Sequence, residues 1–128
     1  MGTEQKTKTA NRQSGDKAEN QAAKFLKSKG YKILHKNYST TLGEIDIIAH
    51  HIDTLVFVEV KARSSTDFGN PSEFVGEYKQ RRIAKTACQF LSRHQIRGAN
   101  VRFDVIEVYL TDNKIEHIEN AFESYLDY

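Results

Sequence analysis

The stretch from Gly43 to Lys61, GEIDIIAHHIDTLVFVEVK, constrains the fold of this chain more than any other. It reads as two β-strands, roughly Gly43–His50 and Thr54–Ala62, joined by a short turn. On the first strand Ile45, Ile47 and Ala49 alternate with Glu44, Asp46 and Ile48. On the second, Val56, Val58 and Val60 alternate with Leu55, Phe57, Glu59 and Lys61. A turn centred between Ile52 and Asp53 sets Ile47 opposite Val58 and Ile45 opposite Val60, one apolar face meeting another. The same register sets Asp46 opposite Glu59, and Glu44 opposite Lys61, on the other face. A slip of one residue would send the two acids to opposite faces, so the apolar pattern and the acid pairing support each other.

Both strands carry apolar residues on both faces, the pattern of central, buried strands in which unpaired charge is costly. Two carboxylates facing each other across a ladder repel. A divalent cation held by Asp46 and Glu59 compensates for this, with Lys61 on the same face two residues beyond Glu59. Oxygen ligands of this kind suit Mg²⁺ or Mn²⁺. The competing account is that Lys61 and Arg63 neutralise the acids as surface ion pairs.

The rest of the chain builds a frame for that hairpin. Residues 1–13 are polar and lack apolar periodicity, which predicts a disordered arm ahead of a single domain over 14–128. Ser14 is placed to cap a helix from about Gly15 to Lys29, stopped by Gly30, with Ala18, Ala22, Phe25 and Leu26 as its buried stripe. Tyr31–Tyr38 alternates weakly and reads as an edge strand. After the hairpin comes a turn-rich loop, RSSTDFGNPS, whose Ser and Thr side chains are candidates for contact with a phosphate or product. A helix follows from about Glu77 to Arg93, with Ile83, Ala84, Ala87, Phe90 and Leu91 inward and Cys88 beside them as a small core residue. Strands at about Asn100–Tyr109 and Lys114–Ile118 complete the order, with Phe122 and Tyr125 as a terminal patch. Helix–strand–strand–strand–helix–strand–strand predicts an α/β (α+β) sandwich on a central mixed sheet. The third and fourth strands are connected through the long helix, which is enough chain for a parallel crossover.

Charge and cysteine usage narrow the partners. A net charge of +2 does not itself identify a nucleic-acid partner, so the clustering of positive charge carries the argument. Lys79, Arg81, Arg82 and Lys85 crowd the first turns of the second helix, where the dipole disfavours cations; they form either a phosphate-binding cluster or a solvated helix face. No apolar run is long enough for a membrane span, and the N-terminus lacks a signal-peptide core. The lone cysteine excludes an internal disulfide and fits a reducing cytoplasm. The histidines show no zinc-ligand spacing, and no Gly-rich phosphate loop or nucleophile elbow is present.

Asp46 followed by Glu59-Val60-Lys61 resembles the PD-(D/E)xK signature of the restriction-endonuclease-like nucleases. Together with FGNPSEFV, KQRRI and RFDVIEV, the segments GEIDIIA and FVEVKAR resemble the bacterial YraN-like family, related to archaeal Holliday junction resolvases. The likeness runs from about Gly15 to Phe122; the Pro-Asp form of the motif is absent, since Ile45 precedes Asp46. It implies an αβββαβ core and a metal-dependent endonuclease acting on DNA, including branched or junction DNA. Asp46, Glu59 and the Val60 carbonyl would hold Mg²⁺ or Mn²⁺, and Lys61 would serve the attacking water or the developing charge. The related resolvases place a glutamate on their first helix, and Glu19 is the matching position. Arg63, Lys79, Arg81 and Arg82 would grip the phosphate backbone without reading sequence. Related resolvases are dimers, which leaves a homodimer open. The alternative is a non-catalytic nucleic-acid-binding module that keeps the nuclease fold.

Overall fold

A computed structural model describes the backbone of residues 2–64 and 75–123, with side chains from Gly15 onward. Helix α1 (Gly2–Ser28) precedes three strands, β1 (Lys32–Thr40), β2 (Gly43–His51) and β3 (Thr54–Arg63). Helix α2 (Glu77–Arg93) then leads to β4 (Asn100–Tyr109) and β5 (Lys114–Ile118). All five strands form one sheet in the order β1-β2-β3-β4-β5. Neighbouring strands are antiparallel except β3 and β4, which run parallel because α2 carries the chain back between them. The expected α/β architecture is therefore the observed one, with β1 at a sheet edge.

Alternation along β3 decides the layers. Val56 and Val58 join Ile47, Ala49, Ile106 and Val108 beneath Ala18, Ala22 and Leu26 of α1. Leu55 and Phe57 join Ile48, Phe103 and Val105 beneath Ile83, Ala87, Phe90 and Leu91 of α2. The sheet is thus covered by one helix on each face, and its central strands have no solvent face. Cys88 is only half-buried, since it sits at the outer margin of the α2 stripe in a groove beside Leu42. Phe122 stacks on Phe103, while Tyr125 and the loop over 65–74 lie outside the described residues.

One boundary differs from expectation. The α1 backbone is helical from Gly2, where the sequence predicted a disordered arm and a helix start near Gly15. The reason is that nothing in residues 2–14 stops a helix: there is no proline, and a glycine such as Gly15 costs only about 1 kcal/mol in a helix interior. The other end falls where the sequence predicted. Gly30 adopts φ 91°, its N–H reaches the Lys27 carbonyl, and the Tyr31 N–H reaches that of Leu26. Those paired bonds satisfy the last carbonyls, and the left-handed residue is one that glycine takes without penalty. Among the described residues no helix is long and apolar enough to cross a membrane.

A buried polar knot ties the first helix to the last strands. Asp104, fully buried, accepts two bonds of 2.9 Å from the Arg102 guanidinium, one of 2.7 Å from His117 Nε2 and one of 3.0 Å from the Asn120 N–H. Arg102 also donates to the Tyr31 hydroxyl at 2.7 Å, just beyond the end of α1. Burial alone would raise the Asp104 carboxyl, but these donors outweigh it and hold the group below its usual range. The sequence carried a sign of this knot: Asp104 shares a strand face with Ile106 and Val108, where an acid needs full partnership.

Candidate functional site

The hairpin predicted from the sequence forms, and then parts at the acids. The β2–β3 ladder runs from His51–Thr54 to Ile47–Val58 in the expected register and ends there, one residue short of Asp46–Glu59. Beyond it, Asp46 Oδ2 accepts the Val60 N–H at 2.7 Å, so a side chain stands where a backbone carbonyl was expected. The expected pairing of Ile45 with Val60 is lost as well: Ile45 packs under α2, and Val60 on the α1 side. On its other flank β2 stays paired with β1 out to Gly43–Thr40, and Gly43 lies so close to α2 that a Cβ there would stand 2.9 Å from Thr86 Oγ1. The start of β2 thus lies against α2 beyond the end of its ladder with β3, and the Asp46 carboxylate reaches across to the Val60 N–H.

The parting opens a cavity of about 400 Å³, with Glu44, Asp46 and Glu59 on the strand side and Lys79 and Arg82 of α2 opposite. Glu59 is buried, and its Oε1 accepts from Lys79 Nζ at 2.5 Å. Burial and then the Glu59 charge push the Asp46 carboxyl from 3.8 up to about 7, against the lowering effect of the Val60 N–H. Glu19 acts on Asp46 electrostatically from α1, the opposite layer. Burial raises the Glu19 carboxyl too; its Oε1 is buried with no hydrogen-bond partner among the described residues. Lys36 offsets part of that charge, while its Nζ donates to Asn20 at 2.6 Å. Three carboxylates, Glu59, Glu19 and Glu44, therefore act on Asp46 around the end of the ladder.

The cations are divided more unevenly than the sequence suggested. Lys61 stands two residues past Glu59 and is depressed by burial first, then by Arg63 and Lys79. Arg63 Nε pairs with Glu107 at 3.2 Å, and the Tyr109 hydroxyl donates to the same carboxylate at 3.1 Å. Arg81 pairs along the helix with Glu77 at 2.8 Å, and Arg82 lies against Tyr78. Of the four expected phosphate contacts, Lys79 and Arg82 line the cavity; Arg63 and Arg81 are not among its lining residues. Two acids escaped the sequence reading. Glu44 was visible only as a partner for Lys61, yet it lines the cavity. Glu107 comes level with Lys61 through the parallel register, a pairing across strands that no local pattern encodes.

Among the described residues no group of three or more His, Cys, Asp or Glu side chains is arranged to hold a metal ion. Asp46 and Glu59 remain a two-carboxylate set, to which a backbone carbonyl and water would add oxygens. The orphaned Glu19 Oε1 and the raised Asp46 carboxyl mark an excess of negative charge that a cation relieves. On that ground the residues fit a small divalent ion with an oxygen-rich, part-hydrated shell.

The sequence pattern of the Uncharacterised protein family UPF0102 matches residues 18–108, which take in both layers of the core and every residue of the cavity. The chain belongs to this family. A UPF0102 protein of Alkaliphilus oremlandii is 53% identical over 116 residues, covering 88% of this chain and 99% of its own. Another, from Clostridioides difficile (strain 630), is 47% identical over 112 residues, with 88% and 98% covered. A UPF0102 protein of Persephonella marina is 44% identical over 114 residues, with 89% and 95% covered. These relatives carry the family's name and no activity, so any function for the UPF0102 fold must be argued from its chemistry.

Proposed function

We propose that this chain is a divalent-metal-dependent nuclease of the PD-(D/E)xK kind, cutting the phosphodiester backbone of DNA. The observation that carries the reading is the meeting of Asp46 and Glu59 at the broken end of a buried ladder, across a cavity from Lys79 and Arg82. A structural protein gains nothing from a carboxyl raised to about 7 by burial and then by a neighbouring acid. In this reading Asp46, Glu59 and the Val60 carbonyl hold Mg²⁺ or Mn²⁺. When bound, the ion supplies Lewis-acid stabilisation of the phosphate and a more acidic water.

The chain's own residues do the rest. The Val60 N–H fixes the direction of the Asp46 carboxylate, so little orientation has to be purchased on binding. Lys61, its ammonium weakened by burial, orients a water or meets developing charge. Arg82 and the α2 N-terminus attract the phosphate, through the guanidinium and through the positive end of the helix dipole. Glu19 adds negative charge behind Asp46 from the α1 layer, and so strengthens the pull on a cation. Lys79 and Arg82 would grip the backbone without reading sequence, so in this reading substrate choice rests on the shape of the DNA.

The test is cleavage of junction, flap, duplex and single-stranded DNA with Mg²⁺, Mn²⁺ or EDTA, using the parent and Glu59→Gln. Metal-dependent cuts that Glu59→Gln abolishes are expected. Metal-independent binding without cleavage across the panel would instead favour a non-catalytic DNA-binding module.

A further inference from the structure

The cavity contains an ion pair that neither acid–metal chemistry nor helix stability requires. Lys79 Nζ lies 2.5 Å from Glu59 Oε1. The lysine side chain is 54% exposed, while the glutamate side chain is 9% exposed, so a mobile cation has come to a fixed, buried anion. Lys79 stands in the first turn of α2, three residues after the cap Gly76, where the helix dipole repels positive charge. Gly76 contributes no side-chain cap, and the acid of that first turn, Glu77, is committed to Arg81. The lysine therefore does not serve its own helix. What it serves is Glu59.

Of the cavity's three acids Glu59 is the buried one, with Glu44 exposed, so Glu59 is the fixed ligand that a divalent ion would use. Its companion Asp46 already gives one oxygen to the Val60 N–H, and Glu19 lies in the other layer. An ion using both Asp46 and Glu59 would compete with Lys79, which already holds one oxygen of Glu59. Displaced, the lysine needs only to rotate its flexible stem to keep its ammonium in the same cavity, beside Arg82. That wall is where the phosphate of the proposed reading would lie.

We propose that Lys79 is an exchangeable cation, which neutralises Glu59 until a divalent ion takes that carboxylate and then turns to the DNA phosphate. The inference rests on the metal-site reading above and adds a coupling to it: metal binding releases a phosphate contact. Metal and DNA then each favour the arrangement the other needs, a reciprocal link between two ligands. Lys79 is a positioning and binding residue in this scheme, and Lys61 keeps its separate place on β3.

Two titrations on the full chain test this. In the first, Mn²⁺ alone is titrated into the parent, Lys79→Met, Lys79→Arg and Glu59→Gln, with thermal stability as the readout. Lys79→Met is expected to bind Mn²⁺ roughly two- to fivefold more tightly than the parent, the scale of one half-exposed ion pair removed. Lys79→Arg, which keeps the charge, should stay near the parent. In the second, duplex DNA is titrated in EDTA and in Ca²⁺, chosen to fill the oxygen site while suppressing cleavage. Lys79→Met should weaken DNA binding several-fold in Ca²⁺ and leave it unchanged in EDTA. Equal Mn²⁺ affinity in parent and Lys79→Met overturns the exchange while the metal site stands. Equal loss of DNA affinity with and without Ca²⁺ overturns it too, because Lys79 would then be a fixed surface charge. If the parent binds no Mn²⁺, or Glu59→Gln binds it as well as the parent, the metal-site reading itself fails and the exchange with it.

Discussion

Replacing Asp46 with asparagine should stabilise the folded chain at neutral pH and above, and the effect should depend on pH. The carboxyl rises from 3.8 to about 7 on folding, so the folded state holds its proton over a range in which the unfolded state has lost it. Below about pH 4 both states are protonated, and the acid exerts no charge-dependent cost. As pH rises toward 7 the unfolded chain ionises freely while the folded chain resists, and stability falls; above 7 the loss is complete. A shift of about 3 units corresponds to roughly 4 kcal/mol at most, at about 1.4 kcal/mol per unit. Asparagine keeps an oxygen for the Val60 N–H and removes the charge, but its amide needs a partner of its own, worth about 1–2 kcal/mol. Asp46→Asn should therefore exceed the parent by roughly 2–3 kcal/mol at pH 8, and fall about 1–2 kcal/mol below it at pH 4, where only the amide cost remains. For a chain of this length that is a melting shift of roughly 5–15 °C. Thermal unfolding from pH 4 to 8 in EDTA reads the difference directly. A gap that stays flat with pH, or a mutant that melts below the parent at pH 8, refutes the crowded-acid account and makes Asp46 an ordinary structural acceptor. In Mn²⁺ the parent should regain stability that the mutant does not, because the ion binds the folded state through a ligand the mutant lacks.

Three further outcomes are expected. Ile52 holds φ 58° at the tip of the β2–β3 turn with 82% exposure, so Ile52→Asn should raise stability by about 1 kcal/mol in urea titration; no gain would mean the turn relaxes in solution. Asp104→Ala strips the buried partner from Arg102 and His117 and should destabilise by about 3–5 kcal/mol, as measured by denaturant midpoint. Because the folded Asp104 carboxyl is depressed, its contribution is present above the ordinary carboxylate range and lost as pH falls; an Asp104→Ala deficit that grows in acid would contradict this. Arg81→Gln with Arg82→Gln should lower the slope of log affinity for DNA against log salt by up to about 2, each phosphate contact contributing about 0.9. An unchanged slope would leave that helix face merely solvated.

Much of this architecture was legible in the residues, for identifiable reasons. The α2, β4 and β5 boundaries follow from strict periodicity bounded by Gly76, by the turn at Asp112-Asn113 and by the loss of apolar residues after Arg93. The hairpin register was readable because only one alignment matched apolar to apolar and acid to acid. Its end short of Asp46 was not, because it accompanies the close approach of Gly43 to Thr86, two residues 43 positions apart that no local pattern links. The same holds for Lys79 on Glu59, Arg63 on Glu107 and Asp104 among its donors. Each is a charge whose partner is chosen by tertiary register, so sequence names the ionic groups and leaves their pairing open. The helical start at Gly2 was missed because polar composition was weighed above the absence of any helix stop.

The parallel seam between β3 and β4 sets an order of events for the nascent chain. Every pair along it, from Thr54–Asn100 to Arg63–Tyr109, joins residues 46 positions apart, whereas β1, β2 and β3 close through turns of a few residues. Loop closure over so long a span is slow compared with hairpin formation. The acids thus meet early, while the strand LVFVEV still presents an open, apolar edge awaiting β4. Until the ribosome has released Tyr109, that edge is available to any other extended chain. Lesions in β4 should for this reason show themselves as aggregation during synthesis, well before they register as a lowered melting point of whatever protein matures.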